Sequence, residues 1–113
     1  MELFGRKRLE KRLRTKNTED LKKRCRLVFV DDIEFPVINI LKVSGWSNVI
    51  HLPDIYSLDQ CEIRDANIIF LDIQGVGKKL HCEEEGIGLI SPLREKYPDK
   101  MIVVYSAEEG GNI

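Results

Sequence analysis

Four short apolar runs limit what this chain can fold into: Leu27 to Val30, Asn48 to Leu52, Asn67 to Leu71 and Met101 to Tyr105. Each has the length of a strand, and the first, Leu27-Val28-Phe29-Val30, is continuously apolar, as strands buried on both faces of a parallel sheet are. Helical patterns separate the runs, so the order is βαβαβαβ, which calls for a parallel sheet with right-handed crossovers. Three of the runs stop on oxygen-bearing side chains. The first ends on Asp31 and Asp32, the third on Asp72 and the fourth on Ser106. In a parallel sheet those endings share the carboxyl edge, where open α/β sheets hold their ligands.

The intervening segments are read from spacing and punctuation. Glu34 to Val43 places Phe35, Ile38, Leu41 and Lys42 at helical intervals. Pro36 stands near its start, where a missing N–H costs nothing, and Ser44-Gly45 marks its end. Tyr56 to Ile63 is a weaker helix with Tyr56, Leu58 and Cys61 available to pack. Ile73 to Cys82 reads as a long loop with Gly75 and Gly77. Glu83 to Tyr97 reads as a helix whose opening glutamates favour the positive end of the helix dipole, although Gly86, Gly88 and Pro92 place its start later. Pro98-Asp99 ends it.

Charge divides the chain. Met1 to Arg26 carry 11 Lys/Arg against 4 Asp/Glu, while Leu27 to Ile113 carry 7 against 15, so a net charge of -1 conceals a +7 arm and a -8 body. Residues 1–25 are expected to form a basic arm or short helix, and residues 26–113 one α/β domain. Leu9 and Leu13 lie on one helical face of the arm, but the apolar stripe is too thin for a buried helix. The Lys/Arg cluster would suit an anionic surface. Without interleaved aromatics or a helix-turn-helix pattern, a solvated tail is the better reading than a nucleic-acid contact. Cys25, Cys61 and Cys82 are odd in number and lack a CxxC pair, which points to neither a disulfide framework nor a zinc site. No stretch approaches the roughly 20 apolar residues of a membrane span, and the N-terminus lacks a signal-peptide core. A cytoplasmic location is expected.

Several motifs reduce to bland readings. Gly75-Val76-Gly77-Lys78-Lys79 fails as a Walker loop, because Asp72 and Lys79 stand where a glycine and a Ser/Thr are needed. His81-Cys82 beside Glu83 lacks the second, distant pair of a transition-metal site. Trp46 reads as a packing residue at the sheet end. Each aspartate alone reads as a turn former or cap, with Asp31 or Asp32 able to cap the helix near Glu34. Together, at the ends of neighbouring strands, they favour a metal and phosphate site.

The acidic pair Asp31-Asp32 after the first strand, Asp72 after the third and Ser106-Ala107 after the fourth resemble the receiver domain of two-component response regulators. Arg94-Glu95-Lys96-Tyr97-Pro98-Asp99 adds to the likeness, which runs from about Arg26 onward. The resemblance implies an open parallel sheet of flavodoxin-like (CheY-like) order. It implies that Asp72 is the phosphoacceptor and that Asp32, Asp72 and the backbone carbonyl of Gln74 ligate Mg²⁺, with Asp31 acting through water or a second-shell bond. Ser106 would hydrogen-bond the phosphoryl group and switch with it. The partner would be a sensor histidine kinase or a phosphotransfer protein, and the only chemistry Mg²⁺-dependent self-phosphorylation and dephosphorylation.

The likeness covers about the first four-fifths of a receiver. The chain stops seven residues after Ser106, before the family's fifth strand, its lysine and its last helices. The loop after Asp72 is expanded by several residues; Lys78 or Lys79 could swing over Asp72 in place of that lysine, but solvated loop lysines are the better reading. Without the last elements, Met101 to Tyr105 is expected to be an exposed edge strand open to self-association. The alternative function is a pseudo-receiver that keeps the fold as a protein-interaction module.

Overall fold

The computed structural model describes residues 17–33, 36–74, 76, 77, 80 and 85–106. Helix α1 (residues 17–24) precedes β1 (Arg26–Val30), α2 (Val37–Val43), β2 (Asn48–Leu52), α3 (Cys61–Asp65), β3 (Ile68–Asp72), α4 (Ile87–Lys96) and β4 (Met101–Tyr105). The strands form one parallel sheet in the order β2-β1-β3-β4. Arg26 pairs with Asn48, Leu27 with Ile68 and Ile68 with Met101, so the strands run level and finish together.

The two sheet faces separate by residue parity, as the period of a strand requires. Val28, Val30, Ile69 and Leu71 point to one side and pack with Ile55, Ile63, Val76, Leu89 and Leu93 under α3 and α4. Leu27 and Phe29 point to the other, where Ile38 of α2, Val49 and the half-buried Trp46 cover them. Phe29 and Phe70 stack across β1 and β3 with ring centroids 4.3 Å apart, a geometry worth about 1 kcal/mol beyond area burial. Beyond these rings the described residues cover the second face only thinly. Ile40 and Val43 on α2 and Met101 on β4 are exposed.

Helix α2 ends as its sequence indicates. Gly45 takes φ +104°, its N–H donates to Lys42 O, and the Trp46 N–H reaches back to Leu41 O, which together make a Schellman stop. Its start is Val37, with Pro36 as the cap residue; Glu34 and Phe35 lie outside the described residues.

One helix differs from expectation, and another starts late, as its glycines indicate. The segment expected to be helical from Tyr56 to Ile63 is a loop up to Gln60, and α3 begins only at Cys61. Tyr56 and Cys61 are exposed, and Ile55 and Ile63 are the fully buried residues. Local side chains explain the loop: Gln60 Oε1 accepts the Tyr56 N–H and Ser57 Oγ accepts the Asp59 N–H, and such bonds compete with helix formation. Helix α4 starts at Ile87, after Gly86, so the glutamates before it do not form its first turn. Pro92 sits inside α4 while Leu89 and Leu93, four apart, bury its inner face.

The opposite, amino edge is closed by Lys100. Its ammonium donates to Arg64 O at 2.7 Å and Ala66 O at 2.5 Å, at the C-terminus of α3, and lies 4.9 Å from the Tyr97 ring centroid. The Tyr97 hydroxyl donates to Leu58 O.

The loop after β3 is anchored. Val76 is fully buried, and the Gly77 N–H donates to Asp54 Oδ1 at 2.7 Å, an oxygen that also accepts the Ile55 N–H at 2.8 Å. Asp54 thus ties the end of β2 to the segment that follows Asp72. Asp54→Ala leaves two buried N–H groups unpaired and is expected to lower unfolding free energy by about 2–4 kcal/mol. Asp54→Asn, which keeps an acceptor, should recover much of that loss in urea titrations.

Candidate metal centre

The connection from β1 leads to β2 on one side of the sheet, and the connection from β3 leads to β4 on the other. The crevice between the ends of β1 and β3 is therefore the topological switch point of an open sheet. Val30 pairs with Leu71, so Asp31 and Asp72 follow one another across that crevice. Carboxylate oxygens of Asp31, Asp32 and Asp72 all lie within 4.8 Å of one another. Asp31 is 1% exposed and Asp72 4%, whereas Asp32 faces solvent.

Each carboxylate has a different setting. Asp31 Oδ1 accepts the Ile33 N–H at 2.9 Å, a turn closed by the side chain, and Asp31 Oδ2 accepts the Tyr105 hydroxyl at 2.9 Å. The Asp31 backbone is fixed from β2, since its N–H donates to Leu52 O at 3.0 Å and its carbonyl bonds His51 Nε2 at 2.7 Å. A carbonyl only accepts, so His51 carries its proton on Nε2. Asp72 Oδ1 accepts the Gln74 N–H at 3.0 Å.

Charge sets the chemistry of this cluster. Two unit charges 4.8 Å apart repel by about 3 kcal/mol at an effective dielectric constant of about 20. A hydrogen bond to a charged group returns about 1.5–3 kcal/mol. The two donors on Asp31 therefore offset part of its share of the repulsion. Burial pushes the Tyr105 hydroxyl above the ordinary tyrosine range, aided by its bond to Asp31 and by the charges of Asp31 and Asp72. Tyr105 thus keeps its proton and remains a donor at neutral pH.

Of the residues singled out in the sequence, Asp31, Asp32 and Asp72 come together. Gln74 joins through its N–H and through its side chain, whose Oε1 accepts from Ser106 Oγ at 3.2 Å. Ser106 follows Tyr105, the strand partner of Asp72, and so stands at the rim beside the cluster. Lys78, Lys79, His81, Cys82 and Glu83 lie outside the described residues. Sequence reasoning missed Tyr105, His51 and Asp54. Tyr105 had one usable signal: counting in twos from Met101 puts it on the face of Phe70 and Asp72 once the strand register is known.

No protein-family model, curated protein or solved structure matches the chain.

Gly86 sets how closely α4 approaches Asp72. Its N–H donates to Ile73 O at 3.3 Å, and a Cβ at this position would fall 2.1 Å from the Asp72 carbonyl oxygen and 2.6 Å from Ile73 Cα. Backbone cannot yield as a side-chain tip can. Gly86→Ala is expected to cost about 1–3 kcal/mol of stability and to shift the Asp72 and Ile73 amide resonances more than any on β2, as read from ¹⁵N spectra.

Proposed function

We propose that this chain is a phosphoacceptor of the receiver type, acting in a cytoplasmic two-component phosphorelay with Asp72 as the acceptor. The observation that carries the reading is the meeting of Asp31, Asp32 and Asp72 within 4.8 Å at the switch point of a β2-β1-β3-β4 sheet. That strand order agrees with the first four strands of a flavodoxin-like sheet, and Ser106 lies one residue beyond β4. The donor set fits Mg²⁺, a hard cation that takes oxygen ligands and retains several waters. Asp32 and Asp72 with the Gln74 carbonyl would hold it, and Asp31 would act through water. When bound, it would neutralise and align the anionic reactants.

The residues of the chain have distinct tasks in this scheme. An oxygen of Asp72 attacks phosphorus, and the bond from phosphorus to the donor's nitrogen or oxygen breaks with its electron pair leaving on the donor. The product is an acyl phosphate on Asp72. The N–H of Gln74 fixes the Asp72 carboxylate for that attack, and burial of Asp72 limits access by water. Ser106 Oγ would exchange Gln74 Oε1 for a phosphoryl oxygen, a stronger acceptor. A phosphohistidine on a sensor kinase or phosphotransfer protein is the expected donor.

Incubation with Mg²⁺ and acetyl phosphate should add one phosphoryl group to the intact mass of the wild type and none to Asp72→Ala. Omitting Mg²⁺ should suppress the addition by at least an order of magnitude. Trp46 lies before the start of β2, at the amino edge of the sheet, so mass is a more direct readout than its fluorescence. Lack of any Asp72-dependent addition favours the second reading, a binding module without phosphotransfer.

One observation supports that second reading. Among the described residues β4 pairs only with β3, and Met101 and Val104 are 60% and 41% exposed. An apolar strand edge of this kind invites another strand. Concentration-dependent association in sedimentation velocity is expected, and Val104→Lys should reduce it.

A further inference from the structure

Tyr105 is the one described side chain that brings a hydroxyl donor from outside the acidic turn onto a carboxylate of the cluster. Its surroundings are built around that contact. The strand register sets Tyr105 beside Asp72, and its carbonyl accepts the Ile73 N–H at 2.9 Å. Its hydroxyl then crosses β3 to reach Asp31 on the end of β1, 74 residues away in sequence. Asp31, 1% exposed, has one oxygen on the Ile33 N–H and the other on this phenol.

The consequence is a division of labour within the cluster. Both oxygens of Asp31 are engaged by protein donors, while Asp32 makes no hydrogen bond or ion pair among the described residues. A carboxylate held at both oxygens keeps its rotamer and presents only its remaining lone pairs, which suits it to orient a bound water rather than to close directly on a cation. Groups that orient metal-site residues from behind commonly change affinity by 10–100-fold when removed.

We propose that Tyr105 is a positioning residue for the acidic centre: its hydroxyl locks Asp31 in an outer role and leaves Asp32 and Asp72 as the inner carboxylates for a divalent cation. The proposal rests on the metal reading given above and goes beyond it by assigning a role to a residue of β4. The phenol does not touch the cation and acts only through Asp31. Its removal therefore weakens cation binding without changing the charge of the site.

Mn²⁺ binding by the full chain, followed by the loss of the free-ion paramagnetic resonance signal, tests this. Wild type should saturate, Tyr105→Phe should bind about 10–100-fold more weakly, and in an Asp31→Ala background the same change should alter affinity by less than twofold. The Asp31 side-chain ¹³C resonance of the metal-free protein should also move in Tyr105→Phe, and circular dichroism should confirm an unchanged fold. If wild type saturates and Tyr105→Phe binds within twofold of it, the positioning role is overturned while the metal site stands. If Tyr105→Phe weakens binding equally with and without Asp31, the residue acts through general packing and the proposal is overturned. A wild type that does not saturate removes the metal reading and this proposal together.

Discussion

Burying the carboxylate of Asp31 is the requirement around which the carboxyl edge of the sheet is arranged. An ionised group taken out of water costs several kcal/mol unless donors replace the lost hydration. Here the donors come from different elements. The turn after β1 supplies the Ile33 N–H and β4 supplies the Tyr105 hydroxyl, while β2 grips the backbone through Leu52 O and His51. Every described strand therefore has its end fixed relative to one residue, with β3 contributing Asp72 alongside. A one-residue slip of β4 would turn Tyr105 to the other face and leave Asp31 Oδ2 without its donor. The polar edge thus specifies register where the apolar interior of the sheet, rich in Val and Ile, would tolerate more than one pairing.

The same arrangement explains what could be read from residues alone. Strands β1 to β4 were legible as short apolar-rich runs between turn residues, most plainly β1, which is buried on both faces and continuously apolar, and the observed limits differ by one residue at the start of β1 (Arg26) and at both ends of β3 (Ile68 and Asp72). The end of α2 was legible because Ser44-Gly45 has few alternatives to a helix stop. Asp31, Asp32 and Asp72 were legible because strand ends in a parallel sheet converge by geometry. Helix α3 was not, since Ser57, Gln60 and Asp54 bond locally to backbone and hold residues 53–60 out of helix, an effect that apolar spacing does not encode. Tyr105 and His51 escaped notice for another reason. Their roles depend on which residues of distant strands stand level, and register resides in hydrogen bonds between chains of residues far apart in sequence rather than in any local pattern.

Asp54 extends this lesson to the loop after β3. Read by composition, Gln74-Gly75-Val76-Gly77 is an insertion with two glycines and a single apolar residue. In the structure Val76 is a core residue, and Gly77 bonds a carboxylate presented by the loop after β2. Gly77 takes φ +88°, which a side chain would strain. Segments on both sides of Asp72 are consequently fixed, by Leu71 in the core and by Val76 four residues beyond it. The acidic cluster sits between rigid anchors, which is the condition a metal or phosphoryl site needs if its carboxylates are to keep their geometry against mutual repulsion.

Strand β4 is where the site and the exposed surface meet. Its end makes three contacts with the centre: the Tyr105 hydroxyl to Asp31, the Tyr105 carbonyl to the Ile73 N–H, and Ser106 Oγ to Gln74 Oε1. Along its other side the described residues give it no neighbour, and Met101 and Val104 are open. A strand held on one side only opens locally at lower cost than one held on both. Any event that draws Asp31 or Gln74 toward a new partner therefore acts directly on an edge strand of the sheet. In the proposed reading, phosphoacceptance and partner binding are then compatible, because the strand that reaches the acidic centre is the same one whose outer edge has no partner among the described residues.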